Sequence, residues 1–195
     1  DVTLKKTLKI SSGTVNLCLN GNDILSDNTA IEVTEGAILN ICDCSSDKTG
    51  TIKSGYYGIY NGGGAVNIYG GKVSGTSVST VYISGGTLNL RGGRLESISA
   101  ENNATALYIT SSASVEISGG EIYAEGGSDG AVCGVLINDS ASSTTISGGT
   151  ISAGCTNTAS SSRYYTVAAV KHLSGNLSVI GGTLTTDTAD NCSAG

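Results

Sequence analysis

The sequence predicts an all-β solenoid, a parallel β-helix of about seven coils with three short strands in each. Three observations predict it. The first is a phrase that recurs along the 195 residues: an aliphatic residue, a spacer, Gly-Gly, a spacer and another aliphatic residue. It reads Ile68-Tyr-Gly-Gly-Lys-Val73, Leu90-Arg-Gly-Gly-Arg-Leu95, Ile117-Ser-Gly-Gly-Glu-Ile122, Ile146-Ser-Gly-Gly-Thr-Ile151 and Val179-Ile-Gly-Gly-Thr-Leu184. Successive copies lie 22, 27, 29 and 33 residues apart, the spacing of one coil per repeat. The second is an alternation of aliphatic and polar residues upstream of each copy, the period-two pattern of strands with one face turned inward. The third is composition. With 29 Gly and no Pro, Met, Phe or Trp, the core must come from Ile, Val, Leu and Ala, and β-branched residues suit stacked strands.

Seven coils align in register. The first strand of each reads Leu8-Lys-Ile10, Ile31-Glu-Val33, Ile59-Tyr-Asn61, Val81-Tyr-Ile83, Leu107-Tyr-Ile109, Val135-Leu-Ile137 and Val170-Lys-His172. The second reads Val15-Asn-Leu17, Leu39-Asn-Ile41, Val66-Asn-Ile68, Leu88-Asn-Leu90, Val115-Glu-Ile117, Thr144-Thr-Ile146 and Leu177-Ser-Val179. The third strands centre on Ile24, Ile52, Val73, Leu95, Ile122, Ile151 and Leu184. The outer residues of each triplet face inward and the middle one faces solvent. Gly-Gly supplies the bend between the second and third strands, because glycine accepts positive φ and close backbone approach. Length variation falls in the long turn 42–50 and in connectors at 96–104, 123–132 and 152–166, where binding or catalytic side chains usually project. The whole chain, 1–195, reads as one domain.

Charge narrows the partners. The net charge is −6, and ten scattered basic residues make no patch, which argues against nucleic acid. No apolar run approaches membrane-spanning length. Asp1 does not read as a native start, so the chain is expected to be a mature or trimmed fragment of a larger protein, and the lack of a visible targeting signal says nothing of location. The six cysteines (18, 42, 44, 133, 155 and 192) are expected to be small buried or turn residues with one disulfide. Cys42 and Cys44 are one residue apart, which is not a Cys-x-x-Cys pattern, so no metal and no cofactor is expected.

Outward rows can be read directly from this register. The middle residues of the first strands run Lys9, Glu32, Tyr60, Tyr82, Tyr108, Leu136 and Lys171. Tyr60, Tyr82 and Tyr108 are the candidate ligand-binding residues, since rings with hydroxyls suit the C–H faces and hydroxyl rims of sugars. Tyr56, Tyr57, Tyr164 and Tyr165 lie in or beside connectors and would extend that surface. The plainer alternative is that tyrosine is a good strand residue that stacks on itself. A second row, Asn16, Asn40, Asn67, Asn89, Glu116, Thr145 and Ser178, predicts a hydrogen-bonded ladder of asparagines. A third follows Gly-Gly: Lys72, Arg94, Glu121, Thr150 and Thr183, with Arg94 and Glu121 as an exposed ion pair. Asp27, Asp43 and Asp47 offer oxygens near the long turn, but not at the spacing of a calcium loop. His172, the only histidine, falls in an inward column of the last coil as a structural or capping residue, although a one-residue slip turns it outward. Interrupted Thr rows do not form an ice-binding plane.

With these coils in place, the chain resembles the right-handed parallel β-helix proteins of the pectate-lyase-like superfamily. More narrowly, Leu17-Cys-Leu-Asn-Gly-Asn-Asp-Ile24 and Ala37-Ile-Leu-Asn-Ile-Cys-Asp-Cys-Ser-Ser-Asp-Lys-Thr-Gly-Thr-Ile52 resemble the opening of Gly-Gly-rich modules in secreted and surface proteins of gut bacteria. The resemblance implies a right-handed helix, an extracellular or cell-surface location and neighbouring domains. It also implies one of two roles. One is a non-catalytic module, adhesin-like, carbohydrate-binding or a spacer, whose partner is a glycan or a host or surface protein. The other is a polysaccharide lyase or glycoside hydrolase, which needs carboxylates converging on one face. Here the carboxylates are dispersed along the chain, and no catalytic residue is assigned.

Overall fold

Residues 1–76, 79–99, 103–126, 131–155, 166–188 and 193–194 are described by a computed structural model. In chain order the first coils hold β1 (Val2–Leu4), β2 (Leu8–Ile10), β3 (Gly13–Cys18), β4 (Ile24–Ser26), β5 (Ile31–Val33) and β6 (Ala37–Cys42). The middle of the stack holds β7 (Thr51–Ser54), β8 (Ile59–Asn61), β9 (Ala65–Ile68), β10 (Lys72–Gly75), β11 (Val81–Ile83) and β12 (Thr87–Leu90). Then follow β13 (Arg94–Ser99), β14 (Ala104–Ile109), β15 (Ser114–Ile117), β16 (Glu121–Gly126), β17 (Val132–Ile146), β18 (Thr150–Cys155), β19 (Thr166–Val179), β20 (Thr183–Thr188) and β21 (Ser193–Ala194).

Every strand pairing is parallel, and each strand pairs with its counterparts one coil away. One eight-stranded sheet runs β1-β4-β7-β10-β13-β16-β18-β20. The other two faces are joined through β17 and β19, long strands that carry both legs of their coils without a full break. The fold is therefore the all-β, right-handed parallel β-helix that the repeat predicts. The registers agree residue by residue: Ile59 pairs with Val81, Leu88 with Val66 and Val115, and Leu95 with Val73 and Ile122.

The inward rows form the core. Ile31, Leu39, Ile52, Ile59, Leu88 and Leu107 are fully buried, and each such side chain contributes about 1.5–3 kcal/mol through apolar burial. Toward the two ends of the described stack, Leu8, Val15, Val179 and Leu184 are exposed.

The Gly-Gly bends follow from backbone geometry. At the first glycine of the fourth coil's phrase, a Cβ on Gly92 would sit 2.4 Å from the Tyr69 carbonyl oxygen of the coil before it. The second, Gly93, has φ +78, and its Cβ would lie 2.5 Å from the Gly71 oxygen. One glycine is needed for close stacking and the other for its conformation as well.

Three expectations change. Strand β1 adds a rung below Ile24 that the repeat did not reveal. In the sixth and seventh coils the first two short strands merge into β17 and β19, with register irregularities around Asn138. The connectors at 96–104, 123–132 and 152–166 begin as strand, since β13, β16 and β18 each run to six residues. Longer strands on this face absorb part of the inserted length. Tyr164 and Tyr165 lie outside the described residues, as does Cys192.

Candidate functional site

The tyrosine row is in register. Tyr60 pairs with Tyr82 on adjacent strands, and Tyr82 with Tyr108. All three are half-buried and project from β8, β11 and β14. The Tyr60 and Tyr82 rings stack at 5.7 Å between centroids, 20° apart, and Tyr108 meets Tyr82 edge-on at 5.0 Å and 84°. Tyr57, from the turn before β8, packs against both Tyr60 at 6.1 Å and Tyr82 at 5.1 Å, and Tyr56 abuts Tyr57 at 4.2 Å. The connector residues thus widen the row into a strip. Burial, then the Tyr56 hydroxyl, push the Tyr57 phenol above its ordinary pKa, and burial does the same for Tyr82. These hydroxyls stay protonated near neutral pH and can both donate and accept hydrogen bonds. The Tyr108 hydroxyl already accepts one from the Asn138 amide at 2.9 Å. At the lower end, Lys9 pairs with Glu32 at 2.9 Å, so the row begins as an ion pair and continues as rings.

On the adjoining face the row after Gly-Gly is richer than a single ion pair. Arg94 bonds Glu96 at 2.8 Å on its own strand and Glu121 on the next, and Lys72 bonds Glu96 from the strand before. The Arg94 guanidinium also lies 4.9 Å from the centre of the Tyr123 ring, whose hydroxyl donates to Glu125. Sequence reasoning counted Glu96 only among dispersed carboxylates, whereas strand alternation puts it on the same outward side as Arg94, where it pairs with Arg94 and with Lys72 of the strand before. Burial alone would raise its pKa, but Lys72 and then Arg94 outweigh it and hold the carboxyl below its usual range. Burial likewise opposes the Arg94 charge, and Glu121 and Glu96 override it. This network lies beside an open cavity of about 370 Å³ lined by Cys42, Asp43, Lys48, Tyr69, Lys72 and Arg94.

The long turn is organised by Asp43 rather than by an ion. Its carboxylate accepts the amides of Gly21 at 2.9 Å, Ser45 at 3.0 Å and Gly50 at 2.7 Å, and the Ser45 hydroxyl at 2.8 Å. The Ser45 amide leads the bonds that draw its pKa down to about 2, against the opposing effect of burial. Asp27, Asp43 and Asp47 form no joint group of ligands among the described residues. The one cluster with ligand geometry there is Cys18, Cys42 and Cys44, whose sulfurs all lie within 4.8 Å of one another. Cys133 is buried and free, and Cys155 is disulfide-bonded.

The second row is the expected ladder. Asn40 donates to Asn16 at 2.7 Å, Asn67 to Asn40 at 2.8 Å and Asn89 to Asn67 at 2.8 Å. His172 pairs in register with buried Ile137, as the column predicts, but it is exposed in the final coil, where its Nε2 lies 3.0 Å from the Gly175 carbonyl. Its register position is inward, yet its side chain is exposed.

The fold and these surfaces define a parallel β-helical solenoid with an aromatic strip. Comparison of the chain with known protein families, with curated proteins and with solved structures finds no match.

Proposed function

We propose that this chain is a non-catalytic β-helix module of a secreted or cell-surface bacterial protein, of the pectate-lyase-like type, that binds carbohydrate along the tyrosine strip. An adhesin-like or spacing role in the parent protein is compatible with the same surface. The observation that carries this reading is the continuity of Tyr56, Tyr57, Tyr60, Tyr82 and Tyr108 as contacting rings, Tyr56 exposed and the other four half-buried. Three coils spaced about 4.8 Å apart extend the strip over roughly 10 Å, the scale of a short oligosaccharide. The stacked rings hold each other in place before a ligand arrives, so little side-chain freedom is lost on binding. The perpendicular Tyr108 ring presents a different aspect from its neighbours, and the phenol hydroxyls suit a sugar's hydroxyl rim.

The competing reading, a polysaccharide lyase or hydrolase, gains proximity from Glu96, Glu121, Lys72 and Arg94, but these groups are engaged with one another as ion pairs. A hydrolase's acid must carry a proton near neutral pH, whereas Glu96 is held ionised by two cations. A lyase's base must be neutral, whereas Arg94 is held charged by two carboxylates. The ion-pair network therefore supports a structural role for that face.

The test is depletion of the folded protein from solution by insoluble cellulose, xylan, chitin, starch and immobilised mucin, beside a Tyr82→Ala/Tyr108→Ala variant. We expect specific retention on at least one polymer, weakened at least tenfold in the variant. No retention on any polymer by a folded sample contradicts the glycan reading.

A further inference from the structure

The three clustered cysteines form a site that the chain's local sequence spacing conceals. Cys18 closes β3 and Cys42 closes β6, and the two are register partners on adjacent parallel strands. Parallel strands set such partners about 4.8 Å apart, with side chains directed the same way. Cys44 follows two residues after Cys42, so strand alternation returns it to the same side while Asp43 turns inward and is buried. The four hydrogen bonds on the Asp43 carboxylate anchor this reversal. Cys44 is therefore held against the other two by the turn's own framework.

We propose that Cys18, Cys42 and Cys44 bind one thiophilic d10 metal cation, of the Zn²⁺ class, as a three-thiolate site open to solvent on its fourth side. The sulfurs all lie within 4.8 Å of one another, and Cys42 and Cys44 are 3.7 Å apart. Three sulfurs at about 2.3 Å from a tetrahedral zinc ion stand about 3.8 Å from each other, so small rotamer changes complete the set. A disulfide between any pair would instead require a bond of about 2.05 Å, and none of the three is disulfide-bonded here. The Cys44 backbone N–H donates to the Cys18 sulfur at 3.2 Å, the outer hydrogen bond that orients a thiolate ligand. Cys42 also lines the open cavity beside the turn, which leaves the cluster accessible from that side.

Three thiolates this close repel one another, and a divalent cation held between them removes that repulsion and releases the thiol protons as it binds. Access is open, since Cys18 and Cys44 are exposed and Cys42 is half-buried.

The experiment uses the full chain, reduced and desalted under nitrogen, with Cd²⁺ as the probe and Zn²⁺ as competitor. We expect a thiolate-to-cadmium charge-transfer band that saturates at one equivalent above the background of a Cys18→Ser/Cys42→Ser/Cys44→Ser variant. Zn²⁺ should displace it. Each single serine variant should weaken binding at least tenfold, and Cys133→Ser should leave the titration unchanged. Zn²⁺ should also protect the three thiols from alkylation in the wild-type chain, a readout that does not depend on any variant folding. No band above background, or equal bands in the single variants, or alkylation undiminished by Zn²⁺, overturns the proposal.

Discussion

Asn61 shows how one residue can carry a local fold. It occupies an inward position between Val33 and Ile83 in the strand register, fully buried among aliphatic neighbours. Its amide donates to the Gly64 and Thr87 carbonyls, both at 3.0 Å, and its side-chain oxygen accepts from the Gly63 and Gly64 amides at 3.2 and 2.8 Å. The side chain replaces backbone partners that this tight bend cannot otherwise find. Asn61→Leu should destabilise the chain by about 2–4 kcal/mol in chemical denaturation, because buried backbone groups are left unpaired despite the gain in apolar volume. A cost below about 1 kcal/mol would mean that water or another side chain satisfies them. Asp43 makes a pH-dependent counterpart. Its folded-state pKa is depressed to about 2, so its contribution is complete above the ordinary carboxyl value of about 3.9 and is lost as pH falls through 2. Melting temperatures taken from pH 6 down to pH 2 should fall more steeply for the wild type than for Asp43→Asn, with the divergence beginning near pH 4.

At the scale of elements, the repeat made the strands and bends legible because their physics is local. Alternation fixes which side chains go inward, and the glycine pair fixes where five of the seven coils turn. Gly93→Ala should cost more than about 2 kcal/mol, since a Cβ there meets the Gly71 carbonyl oxygen at 2.5 Å in a backbone conformation with φ +78. A denaturation midpoint within error of wild type would show that the bend relaxes without consequence. What the repeat did not reveal depends on neighbours across coils. Strand β1 has no Gly-Gly phrase of its own and is defined by pairing Val2 with Ile24. The two legs merge in both β17 and β19, which pair along their length with an irregularity around Asn138 that no repeat phrase marks. Glu96 pairs with Arg94 two residues away on its own strand, but Lys72 and Glu121, which complete the network, come from the neighbouring coils. The cysteine cluster was open to the same threading that found the tyrosine row. Cys18 and Cys42 follow Leu17 and Ile41 directly, and the 24-residue separation is that of Asn16 and Asn40. Metal-site reasoning looked instead for short spacings along one segment, where a solenoid supplies its ligands from successive coils.

The whole molecule is a rod whose surfaces are rows. A charged pair begins one row, tyrosines continue it, and asparagines bond along a second; glutamates and cations interlock on a third. Such a scaffold holds side chains at fixed intervals with little reorganisation, which suits recognition of a repeating polymer. The tyrosine row was readable in the sequence from its coil spacing, and Tyr57 was expected to extend it; the folded coil adds that Tyr57 touches both Tyr60 and Tyr82 from a turn. The most direct measurement is a glycan array probed with the wild-type chain and with Tyr82→Ala/Tyr108→Ala, each verified as folded by circular dichroism. Binding to a defined group of glycans by the wild type, and its loss in the variant, is the predicted result. Undiminished binding by the variant, or none by the wild type, would contradict the account.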